Sequence, residues 1–254
     1  GISNKVILGI VNYMTKIIYK FTNLILVQSP EFKNYIKDQN VSEDKIIYYP
    51  YYAEDFYRIV EEKKEYKDFF PSGFNLVFAG NIGVAQSFDT IIDAFELLKN
   101  RNINLVIFGD GRDKERVQKI VNDKGISHKF HFLGSFPAKK MPNFFACADA
   151  LLITLKKADI FSYTIPGKLQ SYLACGRPII GSLDGIGNRI ITRSKSGYAS
   201  EAENEKLLAD NILKIYNASK SQKERLSSNA IKYFKDNFSK DYLLDEIENI
   251  LENH

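Results

Sequence analysis

Three short stretches hold the residue types that could do chemistry. Gly80-Asn81-Ile82-Gly83 and Gly109-Asp110-Gly111-Arg112 each follow an apolar run, and Pro166-Gly167-Lys168 opens what reads as a helix. Glycine at the end of a strand lets backbone approach a ligand closely. Proline suits the first helical position, because its φ is preset and its missing N–H would be unpaired there anyway. Lys168 then falls in the first turn, where a cation works against the helix macrodipole. An anion docked at the free N–H groups of that turn would relieve the conflict. The chemistry implied is capture of a phosphate-bearing ligand by loop amides, helix N-termini and one ammonium group. A solvated surface lysine is the competing reading, and the local pattern does not separate the two.

The elements that must position these residues follow one another regularly. Short apolar strands are expected at 76–79, 105–108, 130–133, 151–155 and 178–181, and helices at 87–99, 113–123, 141–147 and 166–174. The last of these ends at Gly176, a left-handed cap candidate, with Pro178 just beyond. Alternating strands and helices with all-apolar strands predict an α/β fold, a Rossmann-like parallel sheet with helices on both faces. Residues 159–164 read as a polar loop. Before the alternating part, helices are expected at 4–22 and 30–38 and strands at 24–27 and 45–48, and 51–72 reads as an irregular linker. After it the chain reads as helical over 203–218, 221–237 and 240–252, a helical C-terminal tail. The remaining strand ends carry Gly134-Ser135-Phe136-Pro137, Lys156-Lys157 and Asp184-Gly185. In open parallel sheets ligands bind outside the carboxyl ends of the strands. Five such ends with glycine, small polar residues or lysine point to a ligand site at this edge.

Composition narrows the class. The 254 residues are 44% hydrophobic and 26% charged, ordinary for a globular protein, and a net charge of +4 is too weak to imply nucleic acid. Three scattered histidines offer no zinc-ligand spacing, so no metal and no cofactor is expected. Cys147 and Cys175 lie in apolar helical stretches and read as buried thiols. The apolar stretch from Val6 to Val27 is broken by Asn12, Lys16, Lys20 and Asn23, short of the ~18 uninterrupted residues of a membrane span. It reads as a core-packing helix, with a membrane-surface helix as the alternative. Neither glycine loop is a G-x-G-x-x-G dinucleotide fingerprint or a Walker A loop, and no Gly-x-Ser-x-Gly elbow occurs. NAD enzymes, P-loop NTPases and serine hydrolases are thereby disfavoured.

The stretches FAGNIGVAQSFDTIIDAFELL, VIFGDGRDKERV, FHFLGSFPAKKMPNFFACADALLITL and FSYTIPGKLQSYLACGRPIIGSLDG, in this order and spacing, resemble glycosyltransferase family 4. The nearest subset is the bacterial enzymes that build capsule, O-antigen and exopolysaccharide repeats. The resemblance implies a GT-B fold, two Rossmann-like domains about a cleft, and a retaining, metal-independent transfer from a nucleotide-sugar, usually a UDP-sugar. On that reading residues 1–50 are the tail of an N-terminal domain and 51–72 a linker. Residues 73–238 are the nucleotide-sugar-binding domain, and 239–254 form a crossover helix that packs back on the N-terminal domain. The implied partners are the donor, a saccharide or lipid-linked acceptor, the missing N-terminal domain and a membrane surface, with the protein cytoplasmic at the inner face of the plasma membrane. This piece alone is expected to bind donor and to catalyse poorly or not at all.

Carried over by the resemblance, Lys168, with Pro166, contacts the donor diphosphate and is the catalytic cation. Gly80, Asn81 and Gly83 approach the diphosphate and sugar, and Gln86 takes a position where related families place a basic residue. Gly109, Asp110 and Arg112 form the second loop. Ser135 to Pro137, with Phe136 and Pro137, meet the base, and Tyr163 and Thr164 face the sugar. The family's paired glutamates, counted back from Gly176, fall at Tyr163 and Ser171, so both carboxylates are missing. Gln170 or Ser171 is left to hold the ribose. Two other readings are a GT-B sugar-nucleotide epimerase, which would need carboxylates and histidines near the donor, and a non-catalytic nucleotide-sugar-binding protein. Phe95, Phe144 and Phe145 read as helix-face core, and Lys139-Lys140 and Lys156-Lys157 as solvated charge.

Overall fold

The computed structural model describes residues 4–253. The chain begins with α1 (Lys5–Phe21), β1 (Ile25–Val27), α2 (Pro30–Lys37) and β2 (Ile46–Tyr48), and an irregular stretch then holds the single turn α3 (Lys64–Lys67). Strands and helices alternate from there: β3 (Phe74–Ala79), α4 (Phe88–Leu97), β4 (Ile103–Phe108), α5 (Lys114–Asp123), β5 (Phe130–Gly134), α6 (Met141–Ala146) and β6 (Ala150–Thr154). The chain continues through α7 (Asp159–Tyr163), α8 (Gly167–Ala174), β7 (Ile179–Ser182), α9 (Gly185–Ser194) and β8 (Gly197–Ser200). Helices α10 (Glu205–Tyr216), α11 (Lys220–Asn237) and α12 (Lys240–Glu252) follow.

Strands β3 to β8 form one parallel sheet in the order β5-β4-β3-β6-β7-β8. The chain works outward from β3 to one edge, returns to the centre, and works outward to the other edge. This is the doubly wound order, with its switch point between β3 and β6. Side chains alternate between faces as a strand requires. Leu76, Phe78, Leu105 and Ile107 pack under α4 and α10, whereas Val77, Val106, Leu151 and Ile153 pack under α6 and α8. Strands β1 and β2 pair in a separate two-stranded sheet over a small core of Val27, Ile36, Val41 and Ile46.

Polar contacts bind this small unit to the large one at the α2 end. Ser29 caps α2, accepting from Phe32 N, and its hydroxyl donates to the Tyr163 carbonyl. Arg189 of α9 pairs with Glu31. At the other end the Tyr49 hydroxyl donates to the Leu243 carbonyl at 2.9 Å, and Lys240 pairs with Asp55 at 3.1 Å.

Four expectations need correction. Residues 159–163 are a short helix, not a loop. Helix α9 and strand β8 occupy 185–200, where no element was expected. Glycines Gly185 and Gly187 dilute the α9 pattern, and the Gly-Tyr-Ala-Ser strand carries no apolar run because it is an edge strand. Pro166 is the N-cap of α8, one position before the helix. Helix α1 is not a core-packing helix: Tyr19 touches the small core, but none of its residues is buried, and Val6, Ile10, Met14 and Phe21 are more than half exposed. Cys147 and Cys175 are free and buried, as expected. Gly176 has φ +61°, the left-handed cap its position demanded.

Candidate functional site

A cleft of about 340 Å³ opens at the carboxyl ends of β3, β4 and β5, beside the switch point. Each wall follows from a strand end. Ala79, Gly80 and Asn81 come from β3, Phe108, Gly109 and Asp110 from β4, and Ser135 and Phe136 from the end of β5. The opposite wall is α8, which presents Lys168, Ser171 and Tyr172. These sit at i, i+3 and i+4, one face of a helix. Met141, Phe145 and Tyr57 close the apolar end.

Glycine is dictated by the way the turns back on each other. Gly80 N donates to Phe108 O and Gly109 N to Gly134 O, both at 2.8 Å, and Ile82 N donates to Asp110 O at 2.8 Å. Gly109 has φ +148°, and a Cβ there would lie 1.9 Å from Gly80 O. Any side chain would force the β3 and β4 turns apart.

Lys168 is the electrostatic centre. Its ammonium lies 4.1 Å from the Phe78 ring centroid, and a Cβ on Gly80 would sit 3.0 Å from Nζ. Among the described residues it makes no ion pair and no hydrogen bond. Burial disfavours its charged form and pulls its pKa down to about 8. Among the described residues Asp110 is the only carboxylate lining the cleft, and no histidine lines it. The Gly111 N–H, 2.8 Å from Oδ1, and then the Lys114 ammonium hold the Asp110 carboxyl below the usual carboxylate range. Tyr172 is 1% exposed, and its hydroxyl accepts the Ala79 N–H at 3.0 Å.

The cleft gathers Lys168, Gly80, Asn81, Gly109, Asp110, Ser135, Phe136 and Ser171 of the residues singled out in the sequence. Others lie elsewhere. Arg112 and Gly83 line a neighbouring cleft that shares Asn81. Gln86 accepts from Asn81 Nδ2 at 3.4 Å, and its carbonyl accepts from Thr154 Oγ1 at 2.5 Å. Pro137 and Thr164 are outside the cleft lining, as is Pro166. Gln170 is 1% exposed, and with its amide assigned in the orientation that satisfies its neighbours, the nitrogen donates back to the Pro166 and Gly167 carbonyls at 2.9 and 3.0 Å. Tyr163 is not among the lining residues and packs edge-on against Phe32 at 6.1 Å, with Tyr35 beside it. Sequence reasoning missed Tyr57, Phe108, Met141, Phe145 and Tyr172. Tyr57 lies in the stretch without periodicity, and its ring stacks on Phe145 at the site.

A family model described as glycosyl transferases group 1 matches residues 60–233. The chain belongs to this family. Within it, this group 1 glycosyltransferase chain is 25% identical over 162 residues to the putative colanic acid biosynthesis glycosyl transferase WcaI of Escherichia coli (strain K12). That match covers 61% of this chain and 37% of WcaI. Among solved structures, Anabaena Alr3699/HepE in complex with UDP matches with a TM-score of 0.80 at 14% identity, over 93% of this chain and 65% of that one. The C-terminal domain of a group 1 family glycosyl transferase (LpcC) from Francisella tularensis matches with a TM-score of 0.61 at 16% identity, over 74% of this chain and 100% of that domain. These likenesses show a GT-B-type fold. The chain spans 26 to 37% of the length of the curated relatives it matches.

Proposed function

We propose that this group 1 glycosyltransferase chain is the donor-binding part of a retaining enzyme. It moves a hexosyl or N-acetylhexosaminyl group from a UDP-sugar to a growing saccharide or lipid-linked acceptor of a cell-surface polysaccharide. One observation carries the reading: an unpaired, partly buried ammonium, Lys168, faces glycine-backed turns across a cleft at the switch point of the sheet. A donor diphosphate answers each feature. Its oxygens accept from turn amides and the first turn of α8, and its charge pairs with Lys168. Negative charge on the leaving diphosphate grows as the sugar–oxygen bond breaks. A fixed cation therefore stabilises the transition state more than the ground state. The apolar end at Phe136, Met141 and Phe145 suits a base.

Support for a nucleotide-sugar comes from the family and from the UDP seen with HepE. Retention and the acceptor class rest on the resemblance in the motifs. In this reading residues 1–50 belong to an N-terminal domain that supplies the acceptor site, and the exposed apolar side of α1 is the surface that domain covers. The chain alone is then a donor binder without transfer activity, working in the cytoplasm beside the membrane.

The test is calorimetric titration with UDP, ADP and GDP, with and without chelator. Preference for UDP that survives chelator is the expected result. Absence of binding by all three overturns the donor-site assignment.

A further inference from the structure

A second cleft, of about 660 Å³, opens beside the edge strand β8, and among the described residues its lining carries three cations and no carboxylate. Four elements build it. The C-cap of α9 gives Lys195, β8 gives Tyr198, α10 gives Asn211 and Lys214, and α11 gives Arg225 and Asn229. Asn211 and Lys214 stand at i and i+3, and Arg225 and Asn229 at i and i+4, so each pair shares one face of its helix. Asn229 Nδ2 donates to the Lys195 carbonyl at 2.9 Å and ties α11 to the end of α9. Lys195, Lys214 and Arg225 make no ion pair among the described residues. Asn211 is the decisive member. It lines the cleft yet is only 5% exposed. The Lys214 ammonium donates to its Oδ1 at 3.0 Å, and because an ammonium only donates, this fixes which end of the amide faces it. Among the described residues nothing accepts from Asn211 Nδ2. A buried donor left unanswered is costly unless a ligand accepts from it.

Helix ends do not account for the charge. The C-termini of α9 and α10 each carry about half a negative charge, so together they offset about one of the three cations. A merely solvated patch would have no use for a buried amide with a free donor. Lys195, Lys214, Arg225 and Asn211 Nδ2 are all donors, and they match a compact group with several acceptor oxygens and more than one negative charge. Tyr198 adds ring surface beside them, with the Lys214 ammonium 5.3 Å from the ring centroid. The volume falls within the roughly 300–1,000 Å³ of small-molecule sites, so there is room for more than the anion itself. We infer that this cleft is a second anion site, which takes a phosphomonoester. It lies at β8, three places along the sheet from β3, roughly 14 Å at ordinary strand spacing, and it shares no lining residue with the donor cleft. The inference does not depend on what the donor cleft binds.

Soluble esters and lipid headgroups both present a phosphomonoester, and the test separates them. The probes are glycerol 3-phosphate in solution and phosphatidylcholine vesicles with and without phosphatidic acid, which carries the same ester. Nuclear magnetic resonance of the full chain reads the first, through the Tyr198 backbone amide and the Asn211 side-chain amide, and vesicle flotation reads the second. Shifts at Gly80 and Gly109 report the donor cleft separately. The variant is Lys214→Gln with Arg225→Gln. Both side chains are exposed, so its melting temperature should match that of the unsubstituted chain, and Arg225→Gln alone is the second variant. Lys99→Gln with Lys119→Gln removes the same charge from exposed positions elsewhere and is the control. Glycerol 3-phosphate should shift Tyr198 and Asn211 saturably, with affinity about tenfold lower in the variant and within about twofold of the original in the control. Capture by phosphatidic acid vesicles alone, lost in the variant and kept in the control, assigns the site to the lipid instead of the soluble ester. The inference is overturned if neither probe gives a saturable response that the variant loses and the control keeps.

Discussion

Lys168 is a cation held in partly desolvated surroundings without a counter-charge, beside an aromatic ring that offsets only part of the cost. Two consequences belong to this residue. In the ligand-free protein its ammonium loses its proton as pH rises through about 8. A diphosphate needs the charged form, so UDP affinity should be level below pH 7 and fall above pH 8, with a limiting slope of about tenfold per pH unit. Lys168→Arg should abolish that fall, and Lys168→Ala should weaken UDP far more than uridine. Equal losses for the two ligands would place the diphosphate elsewhere. Stability runs the other way. Because the folded-state value is depressed, the unfolded chain binds this proton more tightly between pH 8 and the ordinary lysine range, so stability rises with pH across that window. Lys168→Met should therefore raise the melting temperature at pH 7, by about 1–2 kcal/mol of stability, while removing UDP binding. Thermal denaturation with and without UDP checks both halves of that trade.

At the scale of elements, the β3 and β4 turns act as one piece because Gly109 leaves room for the Gly80 carbonyl and Gly111 for the Ile82 carbonyl. Gly109→Ala should cost about 2 kcal/mol or more and reduce UDP binding, since the new methyl meets the Gly80 carbonyl. Denaturant unfolding and titration of the same sample test this. The sheet was legible in the sequence because central parallel strands are buried on both faces and read as unbroken apolar runs. Strand β8 was not, because its edge position lets small and polar residues serve. Helix α9 was hidden by its glycines, and Ile186, Ile190 and Ile191 hold it by tertiary packing that local sequence does not announce. The glycine turns and Lys168 were legible for the same reason, since each is a local signal. The places of Tyr57 and Tyr163 were not, because they are set by partners distant in the chain, Phe145 for one and Phe32 for the other.

For the whole molecule, α1 is the unbalanced element. Val6, Ile10, Met14, Ile17 and Phe21 are 40 to 77% exposed, a larger apolar surface than a monomer ordinarily shows to water. Tyr19 alone packs against the small core of the β1–β2 unit. The isolated chain should therefore self-associate. Replacing Ile10 and Ile17 with glutamine should render it monodisperse in light scattering and leave UDP affinity within about twofold, because α1 takes no part in lining the cleft. The strand order has a further consequence, in time. Strands β3, β4 and β5 can pair as the chain proceeds outward, but β6 must return to β3 across all the intervening residues to place Leu76 against Ala150. Closing so long a loop is the slow part of such a topology. Gly80, Gly109 and Ser135 belong to the half whose strands pair locally, and Lys168, Ser171 and Tyr172 follow the long return. The cleft is thus the seam between the two halves of the sheet's winding, and a nucleotide that grips both sides acts as a brake on their separation.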